Sequence, residues 1–110
     1  MAGNPAEFLE LCRDYLTEAR QVLAALRVAF AQRRAEELRN GAHYLKGSSQ
    51  LLGAIALTQC CARLEETGRK ADFSEAGALL EQASAVLQEV EQEYVRRLGT
   101  GVLPAKGSAA

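Results

Sequence analysis

Apolar positions recur along this chain at intervals of three and four, the signature of helices with one buried face. Phe8, Cys12, Tyr15, Ala19, Val22, Leu26 and Ala29 keep this spacing, joined by Leu9, Leu16, Leu23 and Phe30. They predict a long first helix over about 5–31, with Asn4 as N-cap and Pro5 in the first turn, where its missing N–H costs nothing. The next stripe is Leu38, Gly41, Leu45, Ser48 or Ser49, and Leu52. Projected on a wheel, it lies roughly a quarter turn out of phase with the first, so one straight helix cannot bury both. A turn near Gln32–Arg34 resolves the conflict, although no Gly, Pro or Asp marks it.

The second helix, about 35–52, is predicted to end at Gly53, a residue suited to closing a helix. A third carries Leu57, Cys60, Cys61 and Leu64 inward and stops around Thr67-Gly68, followed by a short polar link to Asp72. Asp72 or Ser74 is the expected cap of a last helix, whose stripe runs Phe73, Ala76, Leu80, Ala83, Leu87, Val90, Tyr94 and Leu98. Four amphipathic helices on short links predict an all-α, antiparallel up-down four-helix bundle over residues 1–98. From Gly99 to the end, residues 99–110, Gly, Ala, Ser and Pro dominate, which reads as a flexible tail.

Composition narrows the function classes. With 48% apolar residues, 5% aromatics and no tryptophan, the core must be built of Leu, Ala and Val. A net charge of −1 with interspersed signs lacks the basic stripe that nucleic acid selects. No apolar run approaches the ~18 residues of a membrane span, and no basic-then-apolar leader opens the chain. Three cysteines, two of them adjacent as Cys60-Cys61, suggest no disulfide framework and point to a reduced, cytoplasmic protein. Adjacent cysteines diverge by about 100° on a helix, so no metal site is expected from them with His43.

The candidate chemistry lies in Ala42-His43-Tyr44-Leu45-Lys46-Gly47-Ser48-Ser49-Gln50-Leu51-Leu52-Gly53-Ala54, which holds the one histidine of the chain. His43 projects opposite Leu38, Leu45 and Leu52, with Lys46 and Gly47 one turn along its own face. Glycine in mid-helix costs roughly 1 kcal/mol relative to alanine. Beside an exposed imidazole it gains nothing from packing, but lets another protein's backbone approach. An unprotonated imidazole is a competent phosphoryl acceptor near neutral pH, and Lys46 supplies positive charge where the helix dipole is too remote to help. Gln50 lies almost directly above His43, where it is expected to make a polar contact to phosphate or to a partner. Ser48 and Ser49 point toward the interior, where small hydroxyls permit close packing.

This string, within a four-helix pattern covering about residues 5–98, resembles the phosphorylation motif of histidine-containing phosphotransfer (Hpt) domains. The resemblance implies that His43 is phosphorylated on Nε2, that Lys46 stabilises the phosphate and that Gly47 admits the partner. It carries two further family positions to Glu65 and Arg69. Arg69 keeps a basic type and is expected to support the phosphate, whereas Glu65 replaces a glutamine: a carboxylate holds a ring N–H, yet repels phosphate. Arg33-Arg34 stands where relatives often have Gly-Asp. The expected partners are receiver domains of response regulators and hybrid sensor kinases, which bring the Mg²⁺; the chain itself needs no cofactor and acts as a monomer. The expected docking face is Arg39, Asn40, Gly47, Gln50 and Leu51, to which Phe8 and Leu9 add apolar contact unless Phe8 is spent on the core. Kinase activity of its own is not expected, since no Gly-rich nucleotide-binding sequence is present and Tyr44-Leu45 follow the histidine instead of an acidic residue and proline. The alternative is a helical module that binds a partner without chemistry, in which His43 is dispensable.

Overall fold

The computed structural model describes residues 5–104; the Asn4 cap and residues 105–110 lie outside them. Four helices follow in order: α1 Pro5–Ala31, α2 Ala35–Leu51, α3 Ile55–Lys70 and α4 Ala76–Leu98. No strand occurs among the described residues. Among the described residues each helix backbone runs close to two neighbours around a square, with α1 closing onto α4, which makes an up-down-up-down bundle. Cross-helix pairs confirm the antiparallel sense: Tyr15 with Ser49, Glu18 with Tyr44, and Arg20 with Glu91.

The core is aliphatic, as the composition requires. Leu16, Leu26, Leu38, Leu45, Leu57, Leu64 and Leu80 are fully buried, with Ala19, Ala42 and Ala83 filling the closer approaches. Cys12, Cys60 and Cys61 are buried free thiols, and burial pushes the Cys61 thiol up to about 12, so they serve as small apolar fillers. Ser49 is the one buried polar residue among the described residues; its hydroxyl meets the Tyr15 phenol at 2.7 Å.

All three interhelix links close the preceding helix in the same way. Arg33, Gly53 and Ala71 take left-handed φ values of 56°, 76° and 53°. The next amide then reaches back five residues: Arg34 N to Ala29 O, Ala54 N to Ser49 O, and Asp72 N to Thr67 O, at 2.8, 2.8 and 3.0 Å. Only one of these turns carries the expected glycine. The Arg33 turn is held instead by its side chain, which donates to Phe30 O at 2.6 Å and lies over the Phe30 and Phe73 rings. The methyl group of Ala71 offers no such compensation. Ala71→Gly should therefore raise stability by roughly 0.5–1 kcal/mol, seen as an increase in Tm; an unchanged or lower Tm would show that the turn carries no strain.

Several expectations are corrected. α3 does not stop at Gly68 but continues to Lys70, and Gly68 is buried within it. Neither Asp72 nor Ser74 caps α4; Glu75 occupies that position, and the Asp72 carboxylate accepts from Ser74 N–H in the turn before it. Phe8 is not a core residue, since it is 51% exposed at the tip of α1. The flexible tail does not begin at Gly99: Thr100–Val102 form a 3-10 turn with Val102 fully buried, and the Arg13 guanidinium donates twice to Gly101 O.

Candidate functional site

His43 stands in the middle of α2, on the side turned toward α3, with its side chain 68% exposed. The helix places it there because Leu38, Ala42, Leu45 and Ser49 hold the opposite face in the core. Its Nδ1 lies 2.9 Å from Oε2 of Glu65 on α3. The other oxygen of that carboxylate, Oε1, takes the Lys46 ammonium at 2.7 Å. One carboxylate therefore joins the histidine to the lysine one turn further along its own helix. Lys46, and after it His43, holds the Glu65 carboxyl below the usual carboxylate value, against the partial burial that raises it.

An ionised carboxylate only accepts hydrogen bonds, so the proton in the His43–Glu65 bond belongs to Nδ1. The neutral ring then carries its lone pair on Nε2. Gly47 follows one turn above, and a methyl group built on its α-carbon would meet nothing within 4 Å. The absence of packing there contrasts with Gly41, whose added methyl would strike Leu26 Cδ2 at 2.7 Å. Gly41 is a packing glycine; Gly47 is exposed on an open face.

The remaining sequence-derived positions divide. Arg39, Asn40, Gln50 and Leu51 are exposed on α2, Leu51 at 81%. Arg69 is exposed on α3, but its guanidinium makes a two-pronged contact with Glu66 in place of reaching the imidazole. Ser48 donates to Leu45 O at 3.2 Å within its own helix. Sequence reasoning missed the Tyr44 hydroxyl, which donates to Glu18 at 2.6 Å and ties α1 to α2 beside the site. It also missed Ile55, an apolar residue 70% exposed at the start of α3. His43 faces solvent while Cys60 and Cys61 are buried, and among the described residues no group of three potential metal ligands comes together.

A bundle with an exposed histidine, a lysine one turn along and an open glycine beside them matches a known family model. The Hpt domain model covers residues 10–93, most of the chain. The chain belongs to the Hpt family. Among solved structures, it is similar to the crystal structure of histidine-containing phosphotransfer protein B (HptB) from Pseudomonas aeruginosa PAO1, with 29% identity over 84% of this chain and 81% of that one and a TM-score of 0.82. No curated protein matches. The Hpt domain serves histidine phosphotransfer in a two-component phosphorelay, and domains of this family interact with receiver domains.

Proposed function

We propose that His43 is the phosphoacceptor and that Nε2 is the nitrogen which takes the phosphoryl group from a receiver aspartate and returns it to another. The observation that carries this reading is the bond from Nδ1 to Glu65 on an otherwise exposed ring, which leaves Nε2 as the free nucleophile. Lys46 supplies the charge that offsets the phosphate; its ammonium is half-buried on the same face and already within the network. Arg69 adds to it only by leaving Glu66.

The partners are receiver domains of response regulators and hybrid sensor kinases. The receiver brings the Mg²⁺ and most of the transition-state stabilisation, because this chain presents a nucleophile and one cation and little else. The docking face centres on His43 and Gly47, flanked by Arg39, Asn40 and Gln50, with Leu51 as its apolar contact. Phe8, half-exposed at the end of α1, adds apolar surface at the bundle end where Ile55 also lies. No helix of the described residues is long and apolar enough to cross a membrane, and we place the protein in the cytoplasm as a monomer.

The test is incubation with a phosphorylated cognate receiver. A single acid-labile, base-stable phosphoryl group should appear, since phosphoramidates hydrolyse in acid whereas serine phosphates survive it. An acid-stable label would contradict the reading.

Gly47 separates docking from folding. Gly47→Ala should stabilise the bundle by up to ~1 kcal/mol, because nothing obstructs the added methyl and helix propensity improves. Gly47→Gln should also leave the fold at least as stable, yet slow transfer several-fold by standing between His43 and the receiver. Denaturation curves and transfer rates on the same samples check both halves. A Gly47→Gln variant that transfers at the parent rate would remove Gly47 from the docking face.

A further inference from the structure

Four helices complete the bundle, yet the chain continues past Leu98 and folds back onto it. Gly99, at φ 89°, turns the backbone off the end of α4, and its amide closes that helix on Val95 O at 2.8 Å. The 3-10 turn Thr100–Val102 follows, with Val102 fully buried. The Arg13 guanidinium on α1 holds the Gly101 carbonyl through Nε at 3.0 Å and Nη2 at 2.8 Å. Leu9, one turn before Arg13, lies against the same glycine: a methyl group built on Gly101 would stand 3.7 Å from Leu9 Cδ2. Residues 99–103 thus form a strap joining α1 to the end of α4.

The first turns of α1 have few other anchors. Of residues 5–11, six are exposed and Leu9 is half-buried; full burial begins at Cys12. A short helix end does not hold its shape in water without tertiary support. The strap supplies that support at Leu9 and Arg13, while Leu11 between them projects about 200° away from each. Leu11 shares the face of α1 that carries Glu18, whose carboxylate meets the Tyr44 hydroxyl on α2. Tyr44 and Leu51 likewise share one face of α2. Because the two helices are antiparallel, Leu11 and Leu51 stand level with each other, two turns from the Glu18–Tyr44 bond. They are 50% and 81% exposed, so an apolar seam runs from beside His43 along the α1–α2 boundary.

Resting on the reading of His43 as the phosphoacceptor, we propose that this strap is a positioning element for the receiver. Through Arg13 and Val102 it grips α1 from the α4 side and keeps Leu11 and Phe8 in place as the apolar edge of the docking surface. A receiver that reaches His43 in the middle of α2 has to cover more than that helix. Even a transient signalling interface takes on the order of 500 Å² from each partner, more than the outer face of the 17-residue α2 presents. The neighbour on the α3 side offers charged groups, Glu65, Glu66 and Arg69, already paired within the chain. The neighbour on the α1 side offers Leu11 and Phe8, both about half-exposed. The strap packs on α1 and α4, whereas His43 faces α3, so loosening it spares the reactivity of the imidazole and weakens the grip of the receiver.

The experiment compares the wild-type chain with two variants that loosen the strap away from the site. Arg13→Met removes both donors and keeps an apolar stem; Val102→Ala shortens the buried side chain. Labelling by potassium phosphoramidate, a small donor that needs no docking surface, reads the imidazole alone. Transfer from a phosphorylated receiver domain that labels the wild-type chain, followed against receiver concentration, reads docking. Amide hydrogen exchange reads the first turns of α1. In both variants phosphoramidate labelling and the maximal transfer rate should match the wild type, while the half-saturating receiver concentration rises roughly five-fold. The amides of residues 9–13 should exchange at least about ten-fold faster. A merely structural strap would lower Tm and leave the half-saturating concentration where it was, which would overturn the proposal. Unchanged exchange in residues 9–13, or phosphoramidate labelling slowed along with transfer, would overturn it too. All of these results leave the reading of His43 standing; a wild-type chain that phosphoramidate cannot label would overturn that reading and the proposal with it.

Discussion

His43→Gln should leave the bundle folded and abolish phosphoryl uptake. The imidazole is mostly exposed and contributes no core contact, so its loss falls among surface substitutions, within about 0.5 kcal/mol. Glutamine can still bond the Glu65 carboxylate through its amide N–H, so the anchor on α3 need not be left without a partner. What disappears is the nucleophile, since an amide nitrogen has no lone pair free to attack phosphorus. The expected result is an unchanged circular dichroism spectrum and Tm, with label from a phosphorylated receiver falling to background. Label that persists at the parent level would move the acceptor elsewhere in the chain.

Gly68→Ala should destabilise the bundle strongly, in contrast to the same methyl group added at Gly47. At Gly68 it would lie 2.6 Å from the Arg39 amide nitrogen and 2.8 Å from its Cα. These are backbone atoms in the middle of a helix, and no rotamer change relieves the contact. α2 and α3, the most intimately packed pair in the bundle, must separate. Overpacking of this kind outweighs the improved helix propensity of alanine, for a net loss of roughly 2 kcal/mol and a fall in Tm of about 10 °C. The same separation pulls Glu65 away from His43, so the tautomer that the pair imposes should weaken as well. A Tm equal to or above the parent value would show that the two helices have slack at this level.

Much of this architecture is legible in the sequence because helical periodicity reports directly which face is buried. The phase jump between the stripes of α1 and α2 locates the turn at Gln32–Arg34, and Gly53 marks the next. The same periodicity says nothing of how far neighbouring helices extend. Phe8 is in phase with the α1 stripe, yet it lies at the tip of the helix, beside Leu52, Gly53 and Leu98 in an open groove. Turn chemistry is half visible: Gly53 signals a left-handed residue, whereas Arg33 and Ala71 take the same conformation without glycine's freedom. Gly68 resembles a helix stop because propensity disfavours glycine within helices; the close approach of Arg39 that requires it is tertiary information. Val102 is hidden by the Gly and Ala around it, although its burial against the bundle follows once Arg13 fixes Gly101.

At the site, the exposure of His43 and the openness around Gly47 follow from angles on one helix. The pairing across helices does not. Glu65 is placed only by resemblance, and its two opposed effects cannot be weighed without the distances to Nδ1 and Lys46. Arg69 has the right charge at the right position, but its capture by Glu66 depends on side-chain geometry that residue order does not encode.

The most direct measurement of the central claim is the nitrogen that carries the phosphorus. Uniformly ¹⁵N-labelled protein, phosphorylated by its receiver, should show ³¹P–¹⁵N coupling to one ring nitrogen, Nε2 of His43, with Nδ1 still protonated. Coupling to Nδ1, or phosphorus on a hydroxyl oxygen with no nitrogen coupling, would contradict the account.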